Sequence, residues 1–317
     1  MKLGIAGDTM LGRGVAEALR RRRPETLFSD EVVAAAAEAD AVVLNLECCI
    51  SEGGEPWPDP AKPFFFRAPP VAVEALTLLG VRCVTLANNH ALDFGTEALL
   101  DTVAHLGAAG VAVVGAGRDE ASARAPAVLD LPGCRLGVVG VSDHPAEFAA
   151  GLDSPGVAYV DLRQETPAWL LDAVSATEAD AVVVTPHWGP NMATRPGPDV
   201  RRAAAELRRA GATLVAGHSA HVFHGVADRV LYDLGDFLDD YRTDPVARND
   251  LGLFFLVTFA GAMPVRVEAL PLKLEFTHTR LAEGEDAAWI HRRFRRACGE
   301  FNTPVTEVDG RLVVEWT

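Results

Sequence analysis

Three histidines, His218, His221 and His224, lie within a span of seven residues. They follow an apolar run, residues 212–216, that is long enough for a buried strand, so they are expected where a strand gives way to a loop. Imidazoles this crowded would repel one another if they were all charged. The spacing therefore favours neutral ligands of a metal ion or a proton relay around a substrate.

Four other predicted strands also end in polar residues. Ligands of α/β sheets bind where the carboxyl ends of the strands meet loops, so the side chains at these ends are expected to lie together. The five strand ends supply, in chain order, Asp8; Asn45 and Glu47; Asn88, Asn89 and His90; His187; and His218 with His221. Each has an ordinary explanation on its own, such as a helix cap for Asp8. Their coincidence favours a site for a divalent Zn, Mn or Fe ion, which accepts histidine and carboxylate ligands together.

The elements that would position these groups alternate along the chain. Predicted strands at residues 3–6, 41–46, 81–86, 111–114, 136–141, 181–184 and 212–216 are interleaved with predicted helices at 14–23, 30–39, 71–79, 96–109, 166–176 and 199–210. Such alternation predicts an α/β fold of parallel strands with helices on their faces. The insertion 51–70, rich in proline, glycine and aromatic residues, is predicted to be a lid or a wall of the substrate site.

After residue 229 the pattern changes to consecutive strands. They are predicted at 230–234, 253–259, 265–274 and 275–281, with a helix at 286–296 and a last strand at 312–316. We expect a single domain over residues 1–317. Within it, residues 1–225 form the alternating part that carries the motifs, and residues 226–317 complete a second sheet and add the C-terminal helix.

The composition narrows the class of protein. The 317 residues are 49% hydrophobic, enough to bury a sizeable core, and a net charge of −15 disfavours a nucleic-acid binder. The arginine-rich stretches 20–23 and 292–296 are predicted to be solvated helix faces. Five cysteines without zinc-ribbon spacing indicate a reducing compartment. A cytoplasmic chain is expected, because neither a signal peptide nor an apolar run long enough to cross a bilayer is seen.

Seven short motifs carry a resemblance to a known family. They are Gly7-Asp8-Thr9-Met10-Leu11-Gly12-Arg13, Asn45-Leu46-Glu47, Phe66-Arg67-Ala68-Pro69-Pro70, Asn88-Asn89-His90 with Asp93 and Gly95, His187-Trp188-Gly189, Gly217-His218-Ser219-Ala220-His221-Val222 and Asp233-Leu234-Gly235-Asp236-Phe237. In this order, over most of the chain, they resemble the CapA-type poly-gamma-glutamate biosynthesis proteins, a branch of the calcineurin-like metallophosphoesterase superfamily. The resemblance implies a four-layer α/β/β/α sandwich of two mixed sheets, with the site at one edge.

The resemblance also implies a role for each motif residue. The metal ligands, for one or two divalent Mn, Fe or Zn ions, would be Asp8, Glu47, Asn89, His187, His218 and His221. His90 would protonate a leaving group, and Asp8 is the second residue assigned to catalysis. Arg13, Arg67 and Asn88 are predicted to bind an anionic substrate, since arginine forks suit carboxylates and phosphates. Arg195 also lies near the motifs, but a solvated surface position is favoured for it.

Two departures from metallophosphatases leave the chemistry open. Met10 stands where those enzymes have a histidine, and one extra residue separates His218 from His221, as in CapA-type proteins. The first hypothesis is a metal-dependent hydrolase acting on a phosphoester or a glutamate-type amide. The second is a metal-independent, epimerase-like acid/base enzyme that acts on a peptide or amino-acid derivative and uses Asp8 with a histidine such as His278. The third is a non-catalytic partner in polyglutamate or capsule synthesis.

His278 enters this second hypothesis through its place in a predicted strand. In the strand 275–281, period two puts His278 on the same face as Leu274, toward the core or the cleft, and a core position is favoured. In each hypothesis the expected partner is an anionic small molecule, a peptide or polyglutamate.

Overall fold

The computed structural model describes residues 1–316, which form twenty β-strands, eight α-helices and two short 3-10 helices. The strands are β1 Lys2–Thr9, β2 Ala41–Leu46, β3 Cys49–Ile50, β4 Arg67–Ala68, β5 Val81–Thr85, β6 Ala112–Val114, β7 Ala116–Gly117, β8 Ala127–Leu131, β9 Cys134–Ser142, β10 Gly156–Val157, β11 Ala181–His187, β12 Leu214–Ala216, β13 Val226–Ala227, β14 Val230–Leu231, β15 Asp236–Leu238, β16 Leu251–Ala260, β17 Met263–Glu275, β18 His278–Leu281, β19 Thr306–Val308 and β20 Arg311–Glu315. The helices are α1 Arg13–Arg21, α2 Asp30–Ala36, α3 Ala72–Leu78, α4 Gly95–Ala108, α5 Glu120–Arg124, α6 Ala168–Ala176, α7 Pro198–Arg209 and α8 Gly284–Gly299, and the 3-10 helices are Pro24–Leu27 and Ala146–Phe148. None of the helices in this part of the chain is long and apolar enough to cross a membrane.

The larger sheet is built around β1. Its strand order is β19-β20-β17-β16-β1-β2-β5-β6, with β15 and β18 paired to β1 and β17. On one side of β1 the strands β2, β5 and β6 run parallel, as the βα alternation predicts, whereas β16 on the other side is antiparallel. The carboxyl ends of β1, β2 and β5 therefore lie at the same edge of this sheet.

The smaller sheet has the order β13-β14-β12-β11-β9-β8. Its four inner strands are parallel, and β8 and β13 at its two edges are antiparallel to their neighbours. Of the strands in residues 226–317, which were expected to complete this second sheet, only β13 and β14 belong to it, and the strands after β14 join the larger sheet. The chain returns there because β16 pairs with the first half of β1 and β15 pairs with its end.

Three apolar layers confirm the predicted α/β/β/α sandwich of two mixed sheets. Alternate residues of a strand point to opposite faces, and Leu3 and Ile5 of β1 pack with Val183 of β11 between the sheets. Helices α1 to α4 cover the outer face of the larger sheet, and α6 and α7 cover that of the smaller one. Helix α8 packs against the layer between the sheets through Ile290 and Phe294.

A two-residue turn interrupts the predicted strand 275–281. β17 ends at Glu275, and β18 begins at His278 directly opposite. Thr277 in the turn has a φ of 63°, a left-handed conformation that a threonine does not signal in a sequence. The turn takes His278 out of the alignment with Leu274, so the expectation that it faces the core or the cleft is wrong. It is half-buried, and its Nδ1 lies 2.9 Å from the Thr26 carbonyl oxygen.

The five cysteines are free and buried. Cys48 and Cys49, which directly follow Glu47, are therefore packed as small apolar residues. Burial is the main cause that raises the pKa of Cys49 to about 12, so its thiol stays protonated and unreactive.

Candidate metal centre

Asp8 stands where three strands meet. It is in register with Asn45 of β2 and with Asp236 of β15. Gly7 is required here, because a Cβ atom at that position would lie 1.8 Å from the Gly235 carbonyl oxygen. The close approach lets the Asp8 amide donate to that oxygen at 2.9 Å. The contact between the two glycines thus brings the side chains of Asp8 and Asp236 to one site.

Four buried side chains converge beside this contact, and we call them the acidic cluster: Asp8, Glu47, His221 and Asp236. One ligand atom from each lies within 4.8 Å of the others. The His221 Nδ1 is 2.7 Å from Asp236 Oδ1, 3.4 Å from Asp8 Oδ2 and 3.9 Å from Glu47 Oε2. Three carboxylates and an imidazole form a donor set that suits a divalent transition-metal ion.

Several donor atoms of the site have no hydrogen-bond partner among the described residues. They are both Glu47 carboxylate oxygens, Asp236 Oδ2 and Asn89 Oδ1, and all are buried. Buried polar atoms are nearly always paired, and an unpaired one costs about 1–3 kcal/mol. Each of these atoms can offer a lone pair, which is what a cation requires. The residues of the site therefore fit a metal ion.

The loop that carries His221 has a strained backbone. Ser219 and His221 have φ angles of 107° and 58°, in the left-handed region that residues other than glycine rarely adopt. The Ser219 amide donates to Asp8 Oδ2 at 3.2 Å, and the Ala220 amide donates to Asp233 Oδ2 at 2.9 Å. Such conformations cost about 1–3 kcal/mol each and collect at functional sites. The two carboxylates hold this loop in its strained form.

His187 and His218 flank Asp8 on the side of the smaller sheet, where the last residue of β11 and the loop after β12 pair through a parallel β-bridge. His218 Nδ1 lies 3.3 Å from Asp8 Oδ1, and its Nε2 lies 2.9 Å from Thr185 Oγ1. His187 Nδ1 is 3.4 Å from Asn45 Nδ2, which donates to Asp8 Oδ1 at 2.7 Å. Asp8 is therefore shared between the acidic cluster and the histidine pair.

Burial and neighbouring charges give the cluster residues opposite protonation preferences. Burial raises the pKa of Glu47 well above its ordinary value, and the charges of Asp8 and Asp236 add to this rise against the opposing charge of His221. Burial likewise raises the pKa of Asp236. Burial acts on Asp8 too, but the hydrogen bond to His218 and the histidine charges outweigh it, so the pKa of Asp8 is lowered. A cation bound here would compete with the protons of Glu47 and Asp236.

His90 forms a dyad with Asp93. Its Nδ1 lies 2.7 Å from Asp93 Oδ2, and its ring stacks on Phe66 with the ring centres 4.0 Å apart. Asp93 Oδ2 also accepts from the Phe66 amide at 2.6 Å, and Lys62 Nζ lies 2.9 Å from Asp93 Oδ1. Burial lowers the pKa of His90 against the raising effect of Asp93, and the charge of His221 also lowers it. With Nδ1 bound to the carboxylate, Nε2 is the nitrogen left for proton exchange.

The two adjacent asparagines differ in what they can bind. Asn88 is buried, and its Nδ2 donates to Asn45 Oδ1 at 2.9 Å and to the Leu46 carbonyl at 2.8 Å. Its Oδ1 accepts from the His90 amide at 3.0 Å. These bonds use both N–H groups and one lone pair of Oδ1, and they position Asn45. The role of Asn88 in substrate binding stays a prediction. Asn89 is half-buried and keeps an unpaired Oδ1, as a ligand role would require.

The two arginines predicted to bind substrate differ in their partners. Arg13 Nε donates to Asp240 Oδ1 at 2.9 Å, and its Nη2 donates to the same carboxylate. Arg67 Nη1 donates to the carbonyl oxygens of Gly53 and Gly54 at 2.9 and 3.3 Å. Within residues 1–316, Arg67 has no carboxylate partner. Its charge is therefore uncompensated, whereas that of Arg13 is neutralised.

Sequence reasoning assigned no role to three residues of this region, namely Asp93, Asp236 and Lys62. Asp93 and Asp236 occur in the motifs, and Asp236 is the first residue of the short strand β15. Lys62 lies in the insertion 51–70, and its Nζ donates to the Asn89 carbonyl oxygen at 2.8 Å. A lone lysine in a long loop cannot be told from a surface residue by its sequence.

His224, the third member of the histidine group, has a different partner. Its Nε2 lies 2.7 Å from the Ala193 carbonyl oxygen. The crowding of the three histidines along the chain therefore does not bring all of them to the acidic cluster.

A family model and several known proteins are similar to this chain. The model, described as bacterial capsule synthesis protein PGA_cap, matches residues 2–241. A probable polyglutamine synthesis accessory protein of Mycobacterium tuberculosis is 33% identical over 298 residues, which cover 87% of this chain and 77% of that protein. The PGA biosynthesis protein CapA of Bacillus subtilis is 25% identical over 309 residues, 91% of this chain and 80% of that one. A crystal structure described as a novel phosphatase of Mycoplasma pneumoniae covers 86% of this chain and 93% of that chain, with a TM-score of 0.53 at 12% identity, which shows a common fold.

Proposed function

The chain belongs to the bacterial capsule synthesis family PGA_cap and has a metallophosphatase-like fold, and on this basis we propose that it is a metal-dependent hydrolase. The substrate would be anionic, either a phosphoester or an amide of a glutamate-type polymer. The observation that carries the proposal is the acidic cluster, whose buried donor atoms lie within 4.8 Å of one another. Carboxylates this close repel one another unless protons or a cation lie between them. Polar groups kept at such a cost favour a functional site over a structural one.

The acidic cluster would hold one divalent ion, and Asn89, His187 and His218 are the further donors available to a second. A bound divalent ion supplies Lewis acidity and lowers the pKa of a bound water. Asp8 suits a shared position between two such ions, because its lowered pKa keeps it charged and both of its oxygens face histidines. The identity and the number of ions are part of the proposal.

His90 would deliver the proton that a leaving group needs. Asp93 binds Nδ1 and so fixes the tautomer, and the stacked ring of Phe66 fixes the plane of the imidazole. The lowered pKa makes the protonated imidazole a stronger acid than a histidine in water. The dyad therefore supports a general acid that transfers its proton from Nε2.

Positive charge for an anionic substrate would come from the insertion 51–70. Arg67 is the stronger of the two predicted clamps, because Asp240 already neutralises Arg13. Lys62, with 12% of its side chain exposed, adds a second cation beside Asp93 and the Asn89 carbonyl. These contacts, together with Phe66 on His90, support the role of the insertion as a wall of the substrate site.

The test combines metal analysis with activity. Purified protein is analysed for bound Mn, Fe and Zn, and is assayed on p-nitrophenyl phosphate, bis-p-nitrophenyl phosphate and a γ-glutamyl oligomer, with and without a chelator. We expect bound metal, loss of hydrolysis on chelation and recovery when the ion is restored. Asp8→Asn and His221→Ala should each lower kcat/KM by about 10²-fold or more, since a ligand to a catalytic ion contributes several kcal/mol.

The matched control is His278→Gln, which changes a histidine on the β17–β18 hairpin. Its Nδ1 contacts the Thr26 carbonyl, so this variant should keep full activity. Metal-free protein whose hydrolysis does not respond to the chelator would contradict the proposal. Equal losses in His221→Ala and His278→Gln would also count against it, because they would show a general effect of removing a histidine.

A second candidate function is that of a non-catalytic partner in polymer synthesis. The observation in its favour is the name of the relative from Mycobacterium tuberculosis, a synthesis accessory protein. In a strain that depends on this chain, an accessory role predicts that Asp8→Asn supports normal polymer production, and a hydrolase predicts that it does not. No comparable observation favours the acid/base alternative in which Asp8 acts with His278. Asp8 contacts Asn45, Ser219, His218 and His221. His278 contacts Thr26, so the two residues do not form a pair.

A further inference from the structure

A cavity of about 600 Å³ lies between helix α8 and the loop that follows β11. Its lining contains four arginines, which are Arg195 from the loop and Arg292, Arg293 and Arg296 from the helix. We call it the arginine cavity. The chain carries a net charge of −15, so this local concentration of positive charge runs against its overall composition.

Most of these cations have no partner in the protein. The side chains of Arg195, Arg292 and Arg296 form no ion pair or hydrogen bond with any residue of the range 1–316. The carboxylate in the cavity wall, Glu300, lies 3.8 Å from Arg201 and is directed to that residue. Three guanidinium groups are therefore available to a ligand.

The fourth arginine is held in place by the protein. Arg293 Nη2 lies 3.4 Å from the Phe223 carbonyl oxygen, and its guanidinium carbon lies 5.3 Å from the centre of the Trp289 ring. These contacts fix Arg293 at the base of the cavity while its charge stays without a carboxylate partner.

The spacing of the arginines on α8 lowers the stability of this helix. Arg292 and Arg296 are four residues apart, one turn of the helix, and like charges at this spacing destabilise a helix. Arg296 lies in the last turn, where the helix dipole favours a cation, but Arg292 and Arg195 gain nothing from the dipole. An anion bound between the arginines removes this repulsion.

The apolar part of the wall indicates the class of anion. Trp289 and Val246 both line the cavity, and Val246 is 85% exposed. These side chains suit the methylene groups of an organic anion better than a bare phosphate. A long nucleic acid is disfavoured, because it would continue from the cavity onto a surface in which 44 acidic residues outnumber 29 basic ones. A chain of several carboxylates joined by short aliphatic spacers matches both the arginines and the apolar side chains of the wall.

We propose that the arginine cavity binds a segment of an oligocarboxylate chain. The cavity shares a loop, residues 218–224, with the acidic cluster: Arg293 contacts the Phe223 carbonyl, and His224 contacts the carbonyl of Ala193, which precedes the wall residue Thr194. None of the cavity-lining residues belongs to the acidic cluster, so a ligand of the cavity binds at a separate site. The proposal stands on the charges of the cavity itself and does not rest on hydrolysis at the acidic cluster.

The test measures binding of a fluorescein-labelled oligoglutamate peptide by fluorescence anisotropy. A chelator is present throughout, so that the result is independent of any metal centre. At about 0.15 M salt the screening length is about 8 Å, and distant charges contribute little. The wild-type chain should bind saturably. Arg292→Gln/Arg296→Gln should weaken binding by about tenfold or more, because each hydrogen bond to a charged group contributes about one decade.

The matched control removes the same charge from another part of the surface. Arg20→Gln/Arg23→Gln changes two exposed arginines, one in the last turn of α1 and one just beyond its end, and should leave the affinity within about twofold of wild type. Arg195→Gln, on a separate segment of the wall, should weaken binding even if the α8 variant were to disturb the helix. Absence of saturable binding by the wild type, or equal weakening by the α1 and α8 variants, would overturn the proposal.

Competition distinguishes the ligand classes. Unlabelled oligoglutamate should displace the probe at a lower concentration than tripolyphosphate or a single-stranded oligonucleotide of equal charge. If either phosphate compound were the stronger competitor, the assignment to carboxylates would be wrong.

Discussion

Glu47→Gln should stabilise the metal-free protein and at the same time remove its stabilisation by metal. Glu47 has 0% exposure, and neither of its carboxylate oxygens has a hydrogen-bond partner among the described residues. Glutamine has nearly the same shape, carries no charge and can donate N–H groups to the carboxylates of Asp8 and Asp236. The same substitution removes one ligand from the acidic cluster. The two effects have opposite signs and can be measured separately.

The expected magnitudes follow from the contacts of this side chain. An unpaired buried polar group costs about 1–3 kcal/mol, so the metal-free variant should gain about that much. A metal ion at a concentration of about 100 times its Kd stabilises the wild type by about 2.7 kcal/mol. At about 2 °C per kcal/mol for a chain of this size, the metal should raise the wild-type Tm by about 5 °C. The metal-free variant should melt about 2–6 °C above the metal-free wild type.

The assay is differential scanning calorimetry of chelator-treated protein at neutral pH, with and without added Mn²⁺ or Zn²⁺. Asp233→Asn is the matched control, because Asp233 is also buried beside the cluster but accepts from the amides of Ala220 and Gly235, both at 2.9 Å. It should lower the stability by about 1–3 kcal/mol instead of raising it. The reasoning is refuted if metal-free Glu47→Gln melts below the wild type, or if metal raises both Tm values equally.

Three further predictions concern the residues that support the site. Asp93→Asn should lower kcat by about 10²- to 10⁴-fold with KM little changed, because His90 loses the partner that orients it. Steady-state kinetics on any hydrolysed substrate measures this. An effect confined to KM would contradict the prediction. Gly7→Ala should destabilise the fold by about 1–3 kcal/mol in urea unfolding, because its Cβ would lie 1.8 Å from the Gly235 carbonyl oxygen. The same displacement should abolish the metal-induced Tm shift. Wild-type behaviour in both measurements would refute this prediction. Burial lowers the pKa of His224 to about 4. Between its unfolded pKa of about 6.5 and this value, only the unfolded chain takes up the proton, so as the pH falls the wild type should lose roughly 3 kcal/mol of stability relative to His224→Gln. Parallel stability curves of the two proteins between these pH values would contradict the assignment.

The family resemblance of the sequence motifs was sufficient for the α/β/β/α sandwich, and the residue pattern was sufficient for most of its elements. The strand predicted at 41–46 matches β2, and the helix predicted at 96–109 is displaced from α4 by one residue. These segments are predictable because the period of their apolar residues reflects which side of each element is buried. The polar strand ends were predictable for a related reason, since parallel strands deliver their carboxyl ends to one edge.

The path of the chain after β14 depended on tertiary pairing. β16 is buried along nearly its whole length, and its apolar run would suit either sheet. The choice of the larger sheet depends on its pairing with β1, which lies far away in the sequence. The turn at Phe276 and Thr277 could not be predicted from the sequence either, because neither residue type signals a left-handed conformation.

The composition of the acidic cluster was also decided by tertiary structure. The sequence indicated Asp8, Glu47 and His221 as metal ligands, but it gave Asp236 no such role, because the place of Asp236 beside Asp8 depends on the contact between Gly7 and Gly235. Nor could it show that the amide of Asn88 is bonded to Asn45, Leu46 and His90, because these contacts form only in the packed structure. A sequence fixes which groups a strand end can offer. Which of their atoms remain unpaired, and therefore free to bind a cation, is decided by the distances between segments that meet only in the folded chain.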